Sequence, residues 1–218
     1  MRVESLEAQQ KKNKRNVIQQ RMKGPPEALD PFANHIRVLA TAAGFKDIRL
    51  VRCPDPYYTW TLEKRRSYLS APAVSHLTKS IVMVNTRHEG PSDPSHPTSS
   101  KYLCCVVPYD AKIDSDKLRA AIRAMFLERG LPTPSIKAFN YRLGEDCIQV
   151  TGYVPNGVTP LGLLTPMPVV VAKQITELRP EEFWLGAGEV SLKWRVQIDE
   201  FFQCFNPFVI DFVNKDDK

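Results

Sequence analysis

A stretch rich in glycine and proline, residues 151–163, constrains the fold of this chain more than any other. It reads TGYVPNGVTPLGL and contains three glycines and two prolines. Proline fixes φ and lacks an N–H, whereas glycine permits positive φ and lets another backbone or a ligand approach closely. The apolar runs 148–150 and 168–172 flank the stretch, and each run predicts a strand. We therefore expect a stiff loop between two strands, called the central loop from here on.

Composition leaves two interpretations of the central loop open. It is a plain hairpin connection with Asn156 and Gly157 as its turn, which is the commoner use of such residues. Alternatively, its backbone amides face an anion or a polarised carbonyl group.

Periodicity along the rest of the chain predicts helices mixed with strands. Helices are expected at 29–43 (starting at Asp30 and Pro31, stopping at Gly44), 59–69, 115–130 and 198–205. Strands are expected at 46–53, 79–85, 102–109, 168–172 and 207–213, and residues 88–101 form an exposed polar loop. A second glycine-bearing turn, 186–188, lies between two apolar runs. Short connections between consecutive strands favour an α+β fold with a mixed sheet.

The positive charge of the chain is concentrated at its start. The net charge is +6, and residues 1–23 carry seven basic residues against Glu4 and Glu7. We therefore expect a basic helical arm, residues 1–24, followed by a single domain, residues 25–218, that is close to neutral. The arm either contacts RNA phosphates or a partner protein, or it is a solvated helix.

Several classes of protein are disfavoured by what the sequence lacks. It contains no apolar run of membrane-spanning length and no secretory leader, and its five cysteines form no C-x-x-C pair. These features predict a cytoplasmic protein with free thiols and no membrane partner. The four histidines show no metal-binding spacing, and no nucleophile elbow or phosphate-binding loop is present, so neither metal nor cofactor is expected.

Two charged residues occupy unusual places. Lys79 lies at the start of an apolar strand, where its side chain must extend to solvent, form a pair or face a cleft. Glu189 ends the second glycine-bearing turn and allows the same three interpretations.

Four segments together resemble one protein family. They are HLTKSIVM (76–83), the central loop, PVVVAK (168–173) and WLGAGEVSLKWRV (184–196). They resemble the YbaK family, the free-standing relatives of the editing domain of bacterial prolyl-tRNA synthetases, and in particular its eukaryotic branch. The resemblance covers residues 54–213. It implies an α+β fold in which helices flank a mixed, strongly curved sheet.

The resemblance also implies an activity. It indicates a trans-acting aminoacyl-tRNA deacylase, which hydrolyses the ester of a tRNA mischarged with a small amino acid such as alanine or cysteine. The implied partners are tRNA and aminoacyl-tRNA synthetases. The alternative is a non-catalytic tRNA-binding or scaffold subunit of a synthetase complex.

Carried onto this chain, the family pattern implies a site. Lys79 would engage the phosphate of the terminal adenosine, and the amide of Gly152 or Gly157 would hold the ester carbonyl. The implied substrate-binding residues are Ser80, Tyr153, Val154, Pro155, Asn156, Val158, Pro160, Gly186, Ala187, Gly188 and Glu189. The ester is already activated, and a ribose hydroxyl of the substrate can position the water, so no protein nucleophile is required. Relatives often carry a histidine near residues 186–189, whereas this chain has none after His96.

Deleting residues 1–23 should leave the domain folded, because few apolar side chains are lost. If the arm contacts RNA, the deletion should weaken tRNA binding and flatten its salt dependence, since phosphate contacts release counterions. Binding titrations of both forms at two salt concentrations measure this. Equal affinities at both would show that the arm is only solvated.

Overall fold

The computed structural model describes residues 30–144 and 147–215, so the predicted basic arm lies outside the described residues. The helices are α1 (Pro31–Ala42), α2 (Leu62–Leu69), α3 (Ser115–Glu128), α4 (Cys147–Thr151) and α5 (Ile198–Phe205). The strands are β1 (Arg49–Arg52), β2 (Thr78–Asn85), β3 (Tyr102–Pro108), β4 (Ala111–Ile113), β5 (Tyr141–Leu143), β6 (Val169–Ala172), β7 (Glu182–Gly186), β8 (Leu192–Gln197), β9 (Phe208–Ile210) and β10 (Val213–Lys215). Short 3₁₀ helices lie at Asp55–Thr59, Val74–His76, Ile136–Ala138 and Lys173–Glu177.

The helices and strands form an α+β fold with a mixed sheet, which confirms the predicted fold class. The largest sheet has the order β5-β2-β3-β6-β9, in which β6 is parallel to both β3 and β9 and the other pairs are antiparallel. An antiparallel sheet of order β1-β8-β7 and the pair β10-β4 complete the strands.

One apolar core joins the two larger sheets. It contains Val106 and Val171 from the five-stranded sheet together with Leu185 and Trp194 from the three-stranded sheet, and α1 and α5 also pack into it. A second core lies on the opposite face of the five-stranded sheet, where α3 packs. The five-stranded sheet is therefore covered on both faces, as its nearly continuous apolar strands require.

The prediction of a strand at residues 148–150 is wrong. These residues belong to α4, which ends at Thr151. The next residue, Gly152, has φ of +82°, and its amide donates to the Ile148 carbonyl at 2.8 Å. A glycine with positive φ is a common end of a helix, and an apolar run of three residues cannot distinguish helix from strand. The central loop therefore connects a helix to β6.

The single strand predicted at 207–213 is also wrong. The chain forms β9 beside β6, passes through the fully buried Phe212, and forms β10 beside β4 in another sheet. The predicted strand 46–53 is shorter, because only Arg49–Arg52 pair with β8.

The polar segment 88–101 is only partly exposed. The Asp93 carboxylate accepts hydrogen bonds from the Ser95 amide at 2.8 Å and the Ser99 hydroxyl at 3.2 Å. The His96 ring packs edge-on against Phe208, with 4.8 Å between ring centroids. Local turn bonds and one aromatic contact therefore hold the segment against the sheet.

The start of α1 is fixed by the residues that the sequence indicated. The Asp30 side chain accepts from the Ala33 amide at 3.0 Å, Pro31 occupies the first turn, and Gly44, with φ of +104°, follows the helix. Asp30 also pairs with the Arg52 guanidinium at 2.6 Å. The helix cap is thereby tied to β1.

Replacing Asp30 with alanine should destabilise the protein more than replacing Asp114, the cap of α3. Loss of a cap costs ~1 kcal/mol, and Asp30→Ala also leaves the half-buried Arg52 without one of its carboxylates. Asp114 accepts from two amides of α3 and from the uncharged Asn214 side chain at 2.9 Å, but from no arginine side chain among the described residues. Chemical denaturation of both variants measures the difference, and equal losses would show that the Arg52 pair contributes no more than the Asn214 hydrogen bond.

Candidate functional site

The central loop and the turn between β7 and β8 are in backbone contact. The Gly188 amide donates to the Gly157 carbonyl at 2.7 Å. A Cβ on Gly157 would lie 2.8 Å from the Gly188 oxygen, and a Cβ on Gly186 would lie 2.8 Å from the Val158 oxygen. Only glycine fits at these two positions unless the loop and the turn move apart.

The tip of the central loop is a β-turn of residues 154–157. The Gly157 amide donates to the Val154 carbonyl at 3.0 Å, and Asn156 has φ of +67°. Proline followed by a residue with positive φ is the pattern of a type II turn. The central pair is therefore Pro155 and Asn156, whereas the hairpin interpretation placed the turn at Asn156 and Gly157.

The amides of both candidate glycines already donate within the protein. Gly152 donates to Ile148 at the end of α4, and Gly157 donates to Val154 across the turn. Either amide must exchange or share its bond before it can hold a substrate carbonyl.

Lys79 and Ser80, although adjacent in sequence, lie on opposite faces of β2. Val82, on the face of Ser80, packs with Tyr153 and Val158 of the central loop. Ile81, on the face of Lys79, packs on the side of α3. The Ser80 hydroxyl is buried and has no hydrogen-bond partner among the described residues.

The Lys79 side chain belongs to a group of cations packed on tyrosine rings, which we call the cation–tyrosine cluster. Its members are Arg65, Lys79, Lys193, Tyr57, Tyr58 and Tyr109. Lys193 Nζ lies 4.7 Å from the Tyr58 ring centroid, and Lys79 Nζ lies 5.8 Å from that of Tyr109. Within the described residues, Arg65 and Lys193 form no ion pair with a carboxylate. The cluster therefore favours an anion beside an aromatic surface.

The cation–tyrosine cluster touches the central loop through one tyrosine. Tyr58 Oη donates to the Asn156 carbonyl at 2.9 Å. Lys193 Nζ donates to Tyr58 Oη at 2.8 Å and to the Val190 carbonyl at 3.0 Å. The loop tip, the β7–β8 turn and the cluster thus form one connected site.

Burial changes the ionisation of this cluster. Desolvation lowers the pKa of Lys193 from 10.5 to about 8; the Arg65 charge also lowers this pKa, whereas Cys53 raises it. Desolvation raises the pKa of Tyr58 and of Tyr109, so both remain neutral near physiological pH. Lys193 therefore titrates closer to neutral pH than an ordinary lysine.

Glu189 is held by an arginine. The Arg52 guanidinium pairs with Glu189 and donates to the Ser191 hydroxyl at 2.7 Å, while its other side binds Asp30. Burial alone would lower the pKa of Arg52, but the hydrogen bonds that its guanidinium donates to the Glu189 and Asp30 carboxylates raise it. Glu189 therefore forms a pair, which ties the β7–β8 turn to β1 and α1, and it also lines a cleft, described next.

A cavity of about 760 Å³ lies between α1, the central loop and the β7–β8 turn. Five predicted site residues line it: Gly152, Tyr153, Val154, Gly188 and Glu189. The other lining residues are Phe32, His35, Leu39, Thr151, Gly162, Leu164, Val190 and Ser191. Pro160 lines a different cavity of about 470 Å³, near Phe208, and Ala187 is fully buried. The predicted residues are thus divided between the loop contact, two cavities and the end of β2.

Sequence reasoning missed most of the cation–tyrosine cluster. In LKWRV, Lys193 alternates with apolar residues, which is typical of a strand with one face in water. The structure covers that face with Tyr57 and α2, so Lys193 is only 4% exposed. The adjacent tyrosines Tyr57 and Tyr58 were the available signal, but no local rule pairs them with a distant lysine.

Two absences hold for the described part of the chain. Residues 30–144 and 147–215 contain no group of three or more His, Cys, Asp or Glu side chains that could hold a metal ion. None of the helices described there has the length and apolarity needed to cross a membrane.

Comparison with solved structures relates the fold to that of known proteins. A candidate trans-editing enzyme for prolyl-tRNA synthetase matches with a TM-score of 0.61 and 20% identity, over 85% of this chain and 99% of that one. A scaffold protein used for epitope grafting matches with a TM-score of 0.60 and 17% identity, over 85% and 99%. A hypothetical protein matches with a TM-score of 0.57 and 18% identity, over 82% and 99%. No family model and no curated protein sequence matches the chain. At these identities the likeness shows a shared fold.

Replacing Lys193 with methionine should remove a pH dependence of stability. The folded pKa lies below the unfolded value, so between pH 8 and 10.5 the unfolded chain binds more protons and stability rises with pH. Relative to Lys193→Met, the wild type should gain roughly 2 kcal/mol between pH 7.5 and 10, which cover most of this window, because one pKa unit corresponds to ~1.4 kcal/mol. Denaturation of both proteins at pH 7.5 and 10 measures it, and parallel curves would place the lysine in water.

Proposed function

We propose that this protein is a trans-acting aminoacyl-tRNA deacylase, which hydrolyses the ester of a tRNA mischarged with a small amino acid such as alanine or cysteine. The observation that carries the proposal is the backbone contact of Gly157 with Gly188 beside the cation–tyrosine cluster. Fold similarity to a candidate trans-editing enzyme agrees with it.

The aminoacylated 3′ end of tRNA matches the chemistry of this site. The 3′ end of tRNA carries phosphates and bases, which bind cations and stack on aromatic rings respectively. Lys79, beside the Tyr109 ring, supplies a cation at one edge of the site. It would bind the phosphate of the terminal adenosine, while Ser80 and the central loop contact the aminoacyl group.

The hydrolytic step requires little from the protein. An aminoacyl ester is already activated, and a backbone amide that stabilises the developing oxyanion contributes ~3–4 kcal/mol. In our proposal the Gly157 or Gly152 amide exchanges its internal bond for this contact. A ribose hydroxyl of the substrate positions the attacking water. This hydroxyl takes the role of the histidine that relatives often carry near residues 186–189, since this chain has no histidine after His96.

A thiol nucleophile fits the described cysteines poorly. Cys53, Cys104 and Cys105 are buried, and none is in a disulfide. Burial raises the pKa of Cys53 to about 12 and that of Cys105 well above its ordinary value. Thiolates are the reactive form, so these buried residues are unreactive core groups. The half-buried Cys204 also has a raised pKa, because of desolvation and the Glu200 carboxylate, and it lines the cavity of Pro160 instead of the larger one.

The test is release of amino acid from a panel of mischarged tRNAs incubated with the purified protein. The panel should include tRNAs charged with alanine, cysteine and a large amino acid as control. We expect turnover on a small amino acid and none on the large one. Tight tRNA binding without release from any member would instead support a tRNA-binding or scaffold subunit.

Lys79→Ala should reduce deacylation at least tenfold without lowering the melting temperature, because it removes a phosphate contact at the end of a strand. Lys101→Ala is the matched control. Lys101 Nζ also lies beside a tyrosine, 5.5 Å from the Tyr102 ring centroid, but at the opposite end of β3. Steady-state release assays compare the two variants. Wild-type turnover in Lys79→Ala would show that this lysine is only a surface residue.

Gly157→Ala should damage turnover more than stability. Its Cβ meets the Gly188 carbonyl at 2.8 Å, so the loop and the turn must separate, and such overpacking costs ~1–3 kcal/mol. Gly130→Ala is the control: φ is +65°, no atom lies within 4 Å of the added Cβ, and the strain costs ~1–2 kcal/mol far from the site. Melting temperature and turnover are measured on both. Full turnover in the Gly157→Ala variant would show that the contact between the central loop and the β7–β8 turn is not needed for catalysis.

A further inference from the structure

A relay of two hydrogen bonds runs from the buried Lys193 through the half-buried Tyr58 to the exposed tip of the central loop. Lys193 Nζ donates to Tyr58 Oη at 2.8 Å, and Tyr58 Oη donates to the Asn156 carbonyl at 2.9 Å. Lys193 also donates to the Val190 carbonyl at 3.0 Å. Lys193 therefore contacts the β7–β8 turn directly and the central loop through Tyr58.

The protonation state of Lys193 decides where the Tyr58 proton goes. An ammonium group has three donors and no acceptor, whereas a phenol has a single O–H. Beside an ammonium, the Tyr58 hydroxyl cannot donate to Lys193. Its two remaining acceptors are the Asn156 carbonyl at 2.9 Å and Tyr109 Oη at 3.4 Å, and the nearer carbonyl takes the proton. A neutral amine has a lone pair and competes with the Asn156 carbonyl for that proton.

Asn156 is a position where such a bond matters. Its φ of +67° is a conformation that residues other than glycine adopt at some cost, and Asn156 itself is exposed. The turn also has its internal bond from Gly157 to Val154. A second bond to the turn from outside the loop fixes its orientation relative to the β7–β8 turn.

Lys193 has a pKa nearer to neutral pH than the cysteine and the tyrosines that surround it. Burial raises the pKa of Cys53 to about 12 and raises those of Tyr57, Tyr58 and Tyr109, while Lys193 itself falls to about 8. The charged and titratable groups that face or surround it from each packed element are Arg52, Cys53, Tyr57, Tyr58, Arg65, Lys79 and Tyr109.

We propose that Lys193 is a positioning residue whose ammonium directs the Tyr58 hydroxyl onto the Asn156 carbonyl and so holds the central loop against the β7–β8 turn. The loop is held at neutral pH and loosens as Lys193 loses its proton. This geometry stands on its own contacts, and only its effect on deacylation rests on the proposed function.

The test is hydrogen exchange of the backbone amides of Gly157 and Gly188 in the full chain, expressed as protection relative to intrinsic rates. Lys193→Met and Tyr58→Phe should each lower this protection about tenfold at pH 6.5. The double variant should lose no more than either single variant, since both act in one relay. Tyr68→Phe is the matched control, because Tyr68 Oη also donates to a carbonyl, that of Arg52 at 3.1 Å, but not to the loop.

The pH dependence separates positioning from general stability. In the wild type, protection of both amides should fall between pH 7 and 9, whereas the global stability associated with Lys193 rises over this range. Tyr58→Phe should show a flat profile. Lys193→Arg, which keeps a cation without a lone pair, should retain protection at pH 9. Full protection in Tyr58→Phe at pH 6.5, or equal loss in Tyr68→Phe, would overturn the proposal.

Activity gives a separate readout. If the protein deacylates tRNA, Tyr58→Phe should lower kcat several-fold with little change in KM, because the loop that contacts the ester is loosened. If no mischarged tRNA is cleaved, the proposed function fails, but the exchange experiment still decides whether the relay holds the loop.

Discussion

One backbone contact organises the candidate site, the hydrogen bond from the Gly188 amide to the Gly157 carbonyl at 2.7 Å. It joins a loop that follows α4 to the turn between β7 and β8. Gly157 and Gly186 leave no room for side chains, because an added Cβ would meet backbone oxygens at 2.8 Å. Glycine is required here for proximity, since φ is positive only at Gly188 of these three residues. The main chains of the two segments therefore form the centre of the candidate site.

Electrostatics around this contact are unusual for a protein interior. Arg65 and Lys193 lie among tyrosine rings without a carboxylate partner among the described residues, and Lys193 is 4% exposed. Desolvation of an ammonium group opposes folding unless hydrogen bonds and aromatic faces offset it. Tyr58 supplies both, because its ring packs against Lys193 and its hydroxyl accepts from Nζ. Such an arrangement is better suited to binding an anion and fixing a loop than to stabilising the fold.

Local signals in the sequence determined much of the secondary structure. The bounds of α1 follow from Asp30, Pro31 and Gly44, because caps and glycine stops act within a few residues. The predicted helix 198–205 coincides with α5, and the glycine-bearing turn at 186–188 follows β7. The mixed sheet followed from short connections between apolar runs. The prediction failed at 148–150, where three apolar residues fit a helix and a strand equally well.

Which residues share the site depends on how the sheets and helices pack. Lys79 and Ser80 are neighbours in sequence, but alternation along β2 places them on opposite faces of the sheet. Lys193 follows a pattern typical of a solvent-facing strand position, yet a 3₁₀ helix and α2 cover it. Tyr58 reaches Asn156 across a separation of 98 residues. Local patterns in the sequence indicated α1, α2, α3 and α5, the strands β1, β2, β3 and β6 and the glycine-rich loop, because those depend on nearby residues. Burial and long-range pairing depend on how the layers pack, and this packing placed Tyr58 between the buried Lys193 and the central loop.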